Sequence, residues 1–500
     1  MNGIPPARPR AATARLVLRG IALVYAIAFV SLAVQIDGLY GSRGILPAAD
    51  YLRWIAERAG DSAWRVHPTV LWWTGAGDVT LQGLCWIGAA SAVAMLAGWM
   101  PTATAAICWV LYFSLFQVGR VFLGFQWDIL LLEAGFLAIF LAPLRVRMRA
   151  GYDPEPAPVA VWMLRWLLFR LMFASGVVKL LSADPAWWHL TALEYHYWTQ
   201  PLPTWTAWAA AQLPDVVQRA CVFVMFVIEL GVPWFIFGPR RVRLAAFFPL
   251  VLLQVLIAAT GNYTFFNLLT VVLCCSLLDD DALAAWTSRV TKDRDFPGQW
   301  PTERVVTRGA LATLRTTVAA LVALPLAVAG GALMAARFAG YEALPPPVAR
   351  LCEAIEPWHL TSSYGLFAAM TKQRNEVILE GSQDGEHWVE YPMRWKPGDV
   401  ARAPRFVEPH QPRLDWQMWF AALADWRHSP WLVDLEKRLL EGSPPVVALF
   451  ASDPFQGRPP RYVRAMLYEY RFTDWATHHE TGTWWTRRLV GPFSPPLSRP

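Results

Sequence analysis

Nine long apolar stretches occupy most of the first 340 residues of this chain, and they restrict what it can fold into. A helix that crosses the hydrocarbon core of a bilayer needs about 20 predominantly apolar residues. Backbone in lipid must satisfy its own hydrogen bonds, which helices do within one segment. The sequence therefore predicts a polytopic α-helical membrane bundle of about nine spans, at residues 16–36, 81–99, 102–118, 122–144, 158–181, 220–237, 244–260, 264–278 and 311–337.

The composition supports this interpretation and excludes some other classes of protein. Hydrophobic residues make up 55% of the chain, charged residues only 16%, and there are 28 tryptophans. Tryptophan is enriched where lipid meets water, because its ring is apolar and its N–H needs a partner. The net charge of +6 comes with short arginine clusters beside apolar stretches, so we expect contact with membrane lipid and none with nucleic acid.

The arginine clusters also predict an orientation. They precede the first span and recur at Arg145–Arg149 and Arg240–Arg243, which are alternate connections when nine spans are counted. Since basic loops stay in the cytoplasm, we expect a cytoplasmic N-terminus. The connector between residues 182 and 219 and the C-terminal part would then lie on the opposite side of the membrane.

The C-terminal part differs in composition from the rest. We place the boundary at residue 340, with a multi-pass membrane domain at 1–340 and a soluble extracytoplasmic domain at 341–500. Alternating patterns predict strands at 377–380, 388–391 and 462–472, and a Gly/Asp turn joins the first two. We therefore expect a β-rich, β-sandwich-like domain with one helix near residues 432–440.

Six charged residues lie within the predicted spans, and a charge in hydrocarbon needs a partner or a purpose. Three are acids and three are bases, which suggests pairing inside the bundle. Such pairs can line a functional cavity or simply fix the register of packed helices, and the sequence leaves both alternatives open. The predicted intramembrane polar residues are Asp128, Glu133, Arg165, Arg170, Lys179 and Glu229.

The connector is rich in aromatic residues and holds His189, Glu194 and His196. A metal or general-base site can be imagined there, but the spacing fits no known ligand motif. Nucleotide-binding and serine-hydrolase motifs are also missing from the sequence. We therefore predict no cofactor and no metal, and the only catalytic candidates are Lys179, Glu194 and His196.

Several ordered blocks closely resemble the lipase maturation factor family. In the membrane part they are Arg170–Phe173 with Gly176 and Lys179, Leu190–Tyr197 with Thr199–Pro203, Glu229–Pro233, Thr260–Tyr263 with Phe265–Leu269, and Leu277–Asp280. In the C-terminal part they are Pro409–Leu423, Pro460–Ala465 and Gly482–Trp485. The Ala-, Arg- and Pro-rich composition suggests a bacterial member.

This resemblance implies a multi-pass membrane protein whose exported domain helps secreted lipases reach an active, assembled state. The family resides in the endoplasmic reticulum in animals, and a bacterial member would lie in the cytoplasmic membrane. A maturation factor needs a surface that holds a partly folded client, and aromatic side chains suit that task. The candidates are Trp416, Trp419, Phe420, Trp484 and Trp485, for which the alternative is a place in the core. We interpret Arg413 and Asp415 as a local ion pair.

Two other functions stay open. The arrangement of the chain is similar to that of vitamin K-dependent carboxylase relatives, which implies an intramembrane enzyme acting on a lipid-soluble cofactor or substrate. Lys179 would then serve as a base assisted by His196 or Glu194. Transport is the third alternative, because charges and Pro/Gly breaks within spans can mark a substrate path.

Overall fold

The computed structural model describes residues 9–291 and 310–499, and the first of these ranges is almost entirely helical. Nine apolar helices correspond to the nine predicted spans. They are α1 (Ala11–Ala33), α2 (Asp78–Leu96), α3 (Pro101–Val118), α4 (Gln126–Leu141), α5 (Pro158–Leu181), α6 (Asp215–Phe226, continued as irregular helix to Phe237), α7 (Arg240–Thr260), α8 (Phe266–Cys274) and α9 (Ala310–Ala339). Residues 1–8 and 292–309 of the predicted membrane domain lie outside the described residues.

The prediction of a polytopic helical membrane protein is confirmed, with one difference in length. Among the described residues, seven of the nine helices are long and apolar enough to cross a membrane. The other two, α4 and α8, have 16 and 9 residues. The sequence predicted longer spans for α4 and α8 because apolar residues in the flanking turns extend both apolar stretches.

Consecutive helices run between two ends of the bundle, which differ in chemistry. At one end the arginine clusters are bound: Arg15 pairs with Asp153 at 2.7 Å, and Arg240 pairs with Asp279 at 2.7 Å. Arg315, near the start of α9, donates to the Ala142 carbonyl just after α4 at this same end. We call it the basic end, and the opposite end, which carries the long connections, the loop end.

The connections at the loop end contain short helices. After α1 come Ile36–Tyr40, Ala48–Ala59, Ala63–Val66 and Leu71–Thr74, and Arg120–Leu123 precedes α4. The aromatic connector between α5 and α6 forms Pro185–Trp188, Ala192–Thr199 and Trp205–Ala211. The helix Asp280–Thr291, which follows α8, lies instead at the basic end, where Asp280 accepts from the backbone of Thr13.

The C-terminal part has one antiparallel sheet and several helices. The strands are β1 (Arg374–Ser382), β2 (Val389–Glu390), β3 (Tyr462–Phe472), β4 (Trp485–Pro492) and β5 (Leu497–Ser498). Their order is β2-β1-β3-β4, β5 also pairs with β3, and Ile378 lies opposite Met466. The helices are α10 (Pro346–Ile355), α11 (Arg413–Ala421), α12 (Pro430–Leu440), the short Pro444–Val447, and α13 (Trp475–Thr481).

This sheet confirms the three predicted strands, and α12 confirms the predicted helix. Within the described residues the strands form a single sheet and not two stacked ones, and helices are more numerous than the single one predicted. The helices cover apolar sheet residues that a second sheet would cover in a sandwich: Val377 on β1 and Leu435 on α12 are both fully buried.

The C-terminal part packs directly on the loop end of the bundle. Arg438 donates to the Gly44 carbonyl at 2.8 Å, and Asn262 donates to the Arg405 carbonyl at 2.8 Å. One continuous apolar core runs from the membrane helices into this part. The C-terminal part is therefore seated on the connections of the bundle and shares its interior.

Candidate functional site

Lys179 and Glu229 form a buried ion pair between α5 and the irregular end of α6. Lys179 Nζ donates to both carboxylate oxygens of Glu229, at 2.9 and 2.6 Å, and to the Ser175 carbonyl at 3.2 Å. Both side chains are less than 10% exposed. An ammonium group has three N–H donors and no acceptor, so in this arrangement Lys179 has no lone pair with which to remove a proton.

The local helix geometry puts Glu229 in reach of Lys179. Residues Val227–Gly231 form one turn of π-helix, followed by the 3-10 turn Val232–Phe237. Pro233 has no N–H to donate to the carbonyl four residues before it, that of Glu229, so a regular helix is interrupted here. Single π turns occur often at functional sites.

The other predicted intramembrane residues are also paired, mostly with the C-terminal part. Glu133 binds Arg170 and accepts from Tyr364 Oη at 2.7 Å. Asp128 binds Arg413 at 2.9 Å, and both side chains are fully buried. Arg165 donates to the Ser276 carbonyl at 2.8 and 3.0 Å. These contacts join elements, whereas the Lys179–Glu229 pair also borders a cavity.

The cavity lies between α5, α6, α7, α8 and the connector and has a volume of about 360 Å³. Most of its wall is apolar, with Leu171, Met172, Val222, Leu253 and Phe367 among its residues. Its polar lining residues include Lys179, Glu229, His196, Tyr197, Gln254, Tyr263 and Asn267. Mostly apolar cavities with a few converging polar groups are the usual form of small-molecule sites.

His196 is held at this cavity by a chain of hydrogen bonds. Tyr263 Oη donates to Gln200 Oε1 at 2.7 Å and lies 3.1 Å from His196 Nε2. Because the Tyr263 proton is used for Gln200, His196 must donate from Nε2, which leaves Nδ1 as an acceptor. Nδ1 is buried and has no partner among the described residues. Burial, and to a lesser degree the charge of Lys179, lowers the pKa of His196 to about 4.

The turn between α7 and α8 continues the site toward the C-terminal part. Glu408 accepts from the backbone N–H of Tyr263 and from Asn267 Nδ2, the latter at 3.4 Å. Burial raises the pKa of Glu408 to about 8, although these hydrogen bonds favour the charged form. Asn267 is 4% exposed, and its Oδ1 has no partner among the described residues.

The neighbouring Asn262 is also buried, and its side chain is engaged on both sides. It donates to the Leu202 and Arg405 carbonyls and accepts from the Val407 N–H. The Asn262-Tyr263-Thr264 sequence, a formal glycosylation acceptor, is thus part of the packed interior.

The connector is fastened to the sheet by a buried arginine. Arg374, which begins β1, donates to the carbonyls of Trp198 and Pro201 at 2.8 Å each and to Glu376. Trp419 Nε1 donates to the Thr199 carbonyl at 2.8 Å. The backbone at the end of the His196 helix is therefore fixed by the C-terminal part.

Of the candidate residues in the connector, the structure brings His196 to the cavity and places His189 and Glu194 elsewhere. His196 lines the cavity, whereas His189 is exposed and Glu194 lies 3.6 Å from Arg219. Within the described ranges, no group of three or more His, Cys, Asp and Glu side chains could hold a metal ion. Tyr263, Asn267 and Glu408 were missed as site residues, because their contacts join distant parts of the chain. The only signal was the unusually polar turn between two apolar spans.

The expected exposed aromatic surface does not form from the five residues proposed for it. Trp416, Trp419 and Trp485 are 3%, 5% and 2% exposed and pack in the interior. Phe420 is 43% exposed, and Trp484 is partly exposed. Trp416 and Trp419 are buried because α11 inserts between the bundle and the connector, whereas Trp485, at the start of β4, packs against Tyr470 and Phe472. The expected Arg413–Asp415 pair is also wrong, since Arg413 binds Asp128 and Asp415 accepts from the backbone of Trp395 and Lys396.

Comparison with known proteins gives consistent matches along the chain. Residues 12–285 match the family described as lipase maturation factor transmembrane domain, and residues 360–495 match lipase maturation factor C-terminal domain. Lipase maturation factor 2 of Gallus gallus is 41% identical over 99% of this chain and 82% of its own length. The Homo sapiens protein of that name is 40% identical over 97% of this chain and 82% of its own length. Lipase maturation factor 1 of Bos taurus is 36% identical over 99% of this chain and 91% of its own length. No solved structure matches.

Proposed function

This chain belongs to the lipase maturation factor family, and from that premise we propose that it helps a secreted lipase reach an active, assembled state. The observation that carries the proposal is the similarity of 36–41% over nearly the whole chain to relatives named for lipase maturation. It covers the membrane helices and the C-terminal part together. The comparisons give no support to the carboxylase-like enzyme, and the fully engaged Lys179 removes the base that it would need.

The protein is a multi-pass membrane protein, and we propose that its C-terminal part lies in the compartment that receives the lipase. The arginine clusters share the basic end of the bundle, which supports a cytoplasmic position for that end. A client that is being secreted is found only on the other side. The membrane would be the endoplasmic reticulum membrane in a eukaryotic cell and the cytoplasmic membrane in a bacterium.

We propose a division of work between residues 1–340 as the membrane domain and residues 341–500 as the client-facing domain. Among the residues first considered for client contact, Phe420 and Trp484 keep exposed surface. Leu423, one turn after α11 residue Phe420, is 45% exposed. Exposed apolar side chains on a rigid helix end suit transient binding of a partly folded chain.

The proposal is tested by producing this protein together with a secreted lipase in cells that lack their own maturation factor. We expect lipase protein to be present but inactive or aggregated without this chain, and active and assembled with it. The measurements are lipase activity per amount of lipase antigen and sedimentation of the secreted enzyme. Equal specific activity with and without this chain would contradict the proposal.

A matched pair of variants tests the proposed client surface at Phe420 and Leu423. Phe420→Ala combined with Leu423→Ala should lower the lipase activity, while Phe406→Ala, which removes a side chain of similar exposure (45%) elsewhere in the C-terminal part, should not. The amounts of both variants in the membrane should equal that of the unaltered protein. If the double variant matures lipase normally, this helix end is not the client surface.

A further inference from the structure

The cavity beside Lys179 opens sideways from the bundle. Its rim residues Leu213 and Leu256 are 41% and 54% exposed, and the rim residue Cys221 is also exposed. Helix α7 packs against α8 and the irregular segment 227–237, and it has few contacts with the regular part of α6. The opening between α6 and α7 is therefore on a face that the two membrane helices present to lipid. A molecule that enters there comes from the bilayer.

The charges around the cavity cancel. Lys179 is neutralised by Glu229 through two hydrogen bonds. His196 is neutral at physiological pH, because burial lowers its pKa to about 4. A charged head group would enter a mostly apolar space without a free counter-charge, which costs several kcal/mol. The site therefore favours a molecule without net charge.

Two buried acceptors at the cavity lack a partner among the described residues, while several donors beside them are already used. His196 gives its Nε2 proton to Tyr263, Tyr263 gives its proton to Gln200, and Asn267 Nδ2 donates to Glu408. Of the residues that line the cavity, His196 and Asn267 have buried acceptors, Nδ1 and Oδ1, without a partner among the described residues. A buried acceptor without a partner costs about 1–3 kcal/mol. A ligand hydroxyl can supply the missing donors.

We propose that this cavity binds a neutral lipid with a hydroxyl-bearing head group, of the monoacylglycerol type. Its acyl chain lies along the apolar wall, and its hydroxyls donate toward His196 and Asn267. The cavity volume of about 360 Å³, within the range of sites for small ligands, holds the head group and the first part of the chain, and the rest of the chain extends through the opening into the bilayer. The inference does not depend on lipase maturation, since it rests on the cavity alone.

The test uses the full chain purified in detergent and a monoacylglycerol carrying a photoreactive diazirine and an alkyne tag. Saturable labelling is competed with 1-monooleoylglycerol and with methyl oleate, which has the same chain but no hydroxyl. We expect monooleoylglycerol to compete at least about tenfold better, the value of one hydrogen bond to a buried acceptor. Equal competition by the two molecules, or labelling that does not saturate, would overturn the proposal.

A matched pair of variants tests the acceptor. Asn267→Leu should weaken competition by monooleoylglycerol about tenfold and leave methyl oleate unchanged. Thr264→Val is the control: Thr264 is 2% exposed and its hydroxyl oxygen also has no partner among the described residues, but it does not line the cavity. Identical behaviour of the two variants would count against the assigned site.

A second measurement is made on the unaltered protein and uses the variant Cys221→Ser only as a control. Cys221 is exposed at the rim, so hexadecyl methanethiosulfonate should modify it and place an alkyl chain in the cavity. We expect this modification to abolish photolabelling, the smaller methyl reagent to leave most of it, and Cys221→Ser to be resistant. Prior saturation with monooleoylglycerol should slow the modification. Full photolabelling of the alkylated protein would show that the lipid binds elsewhere.

Discussion

At the scale of single residues, the contacts of buried charged side chains account for more of how the parts of this molecule are joined than the contacts of its aromatic side chains do. The sequence revealed Lys179, Glu229, Glu133 and Arg170, because a charge stands out within an apolar span. It did not reveal that Asp128 binds Arg413, since 285 positions separate the two residues. Local patterns show that a charge needs a partner, but the packing of distant segments decides which residue that partner is.

The Lys179–Glu229 pair gives a prediction about stability. Lys179→Met should lower the free energy of unfolding by about 3–5 kcal/mol, because it leaves the Glu229 carboxylate buried and uncompensated. The double variant with Glu229→Gln should recover most of this loss. Thermal unfolding of the purified protein in detergent measures both. A double variant less stable than Lys179→Met would show that the pair itself contributes most of the stability.

Glu408 gives a prediction about pH. Its folded-state pKa of about 8 lies above the ordinary value of 4.5, so between these pH values the folded state holds a proton that the unfolded state has lost. The stability from this group is complete below pH 4.5 and falls as the pH rises toward 8, by up to about 1.4 kcal/mol per pH unit.

Glu408→Gln keeps the acceptor and removes the titration, so the comparison isolates this group. We expect the variant to have nearly the same melting temperature as the unaltered protein at pH 5 and a higher one at pH 9. Other titrating groups, such as Glu436 with its pKa raised to about 7 by burial, act equally in both proteins. A difference that does not grow with pH would contradict the assignment.

At the scale of elements, the patterns predicted long segments well and interruptions poorly. Strand β3 follows the predicted bounds 462–472, because alternation and turn residues both mark it. The π turn at Val227–Gly231 could not be predicted, since it depends on Pro233 and on the partner that Glu229 finds in α5. The tryptophans of α11 were assigned to a surface because periodicity does not distinguish an exposed apolar face from a face that docks.

The contact of α5 with this π turn gives a prediction at a glycine. A Cβ at Gly176 would lie 2.7 Å from Leu230 Cδ2 and 3.0 Å from Glu229 Cβ. Gly176→Val should therefore force the two helices apart, with a cost of about 1–3 kcal/mol. It should also open the Lys179–Glu229 pair.

Gly231 supplies the matched control for Gly176. A Cβ there would meet no atom within 4 Å, so Gly231→Ala should leave the melting temperature nearly unchanged. Thermal unfolding of both variants, with chemical labelling of Lys179 as the readout of the pair, checks the prediction. If Gly176→Val and Gly231→Ala lowered the melting temperature equally, close packing of α5 against the π turn would not be the cause of the lost stability.

At the scale of the whole molecule, the structure unites two parts that the sequence separates. Composition changes near residue 340, and two separate family models match residues 12–285 and 360–495. Yet Arg170, Asp128 and the connector all receive their partners from the C-terminal part. Docking of this kind escapes prediction from one sequence, because it depends on shape and on contacts far apart in the chain.

The arrangement of the two ends leads to a prediction about topology. If the basic end faces the cytoplasm, the chain crosses the membrane outward along α1 and again along α9, since each of these helices runs from the basic end to the loop end. A reporter phosphatase, active only outside the cytoplasm, should then be active when fused after residue 80, 213 or 500. A fluorescent protein that matures only in the cytoplasm should be bright when fused after residue 150.

Because α4 and α8 are short, the number of spans depends on whether they cross the membrane, and the same experiment tests this for α4. If α4 does not cross the membrane, reporters after residues 119 and 150 will report the same side; if it crosses, they will report opposite sides. The pairing of Asp128 with Arg413 at the loop end and the bond from Arg315 to the carbonyl after α4 at the basic end favour crossing. A helix of 16 residues is about 24 Å long, so the bilayer must thin locally to match it. A phosphatase that is inactive after residue 500 would contradict the orientation, and with it the access of a secreted client to the C-terminal part.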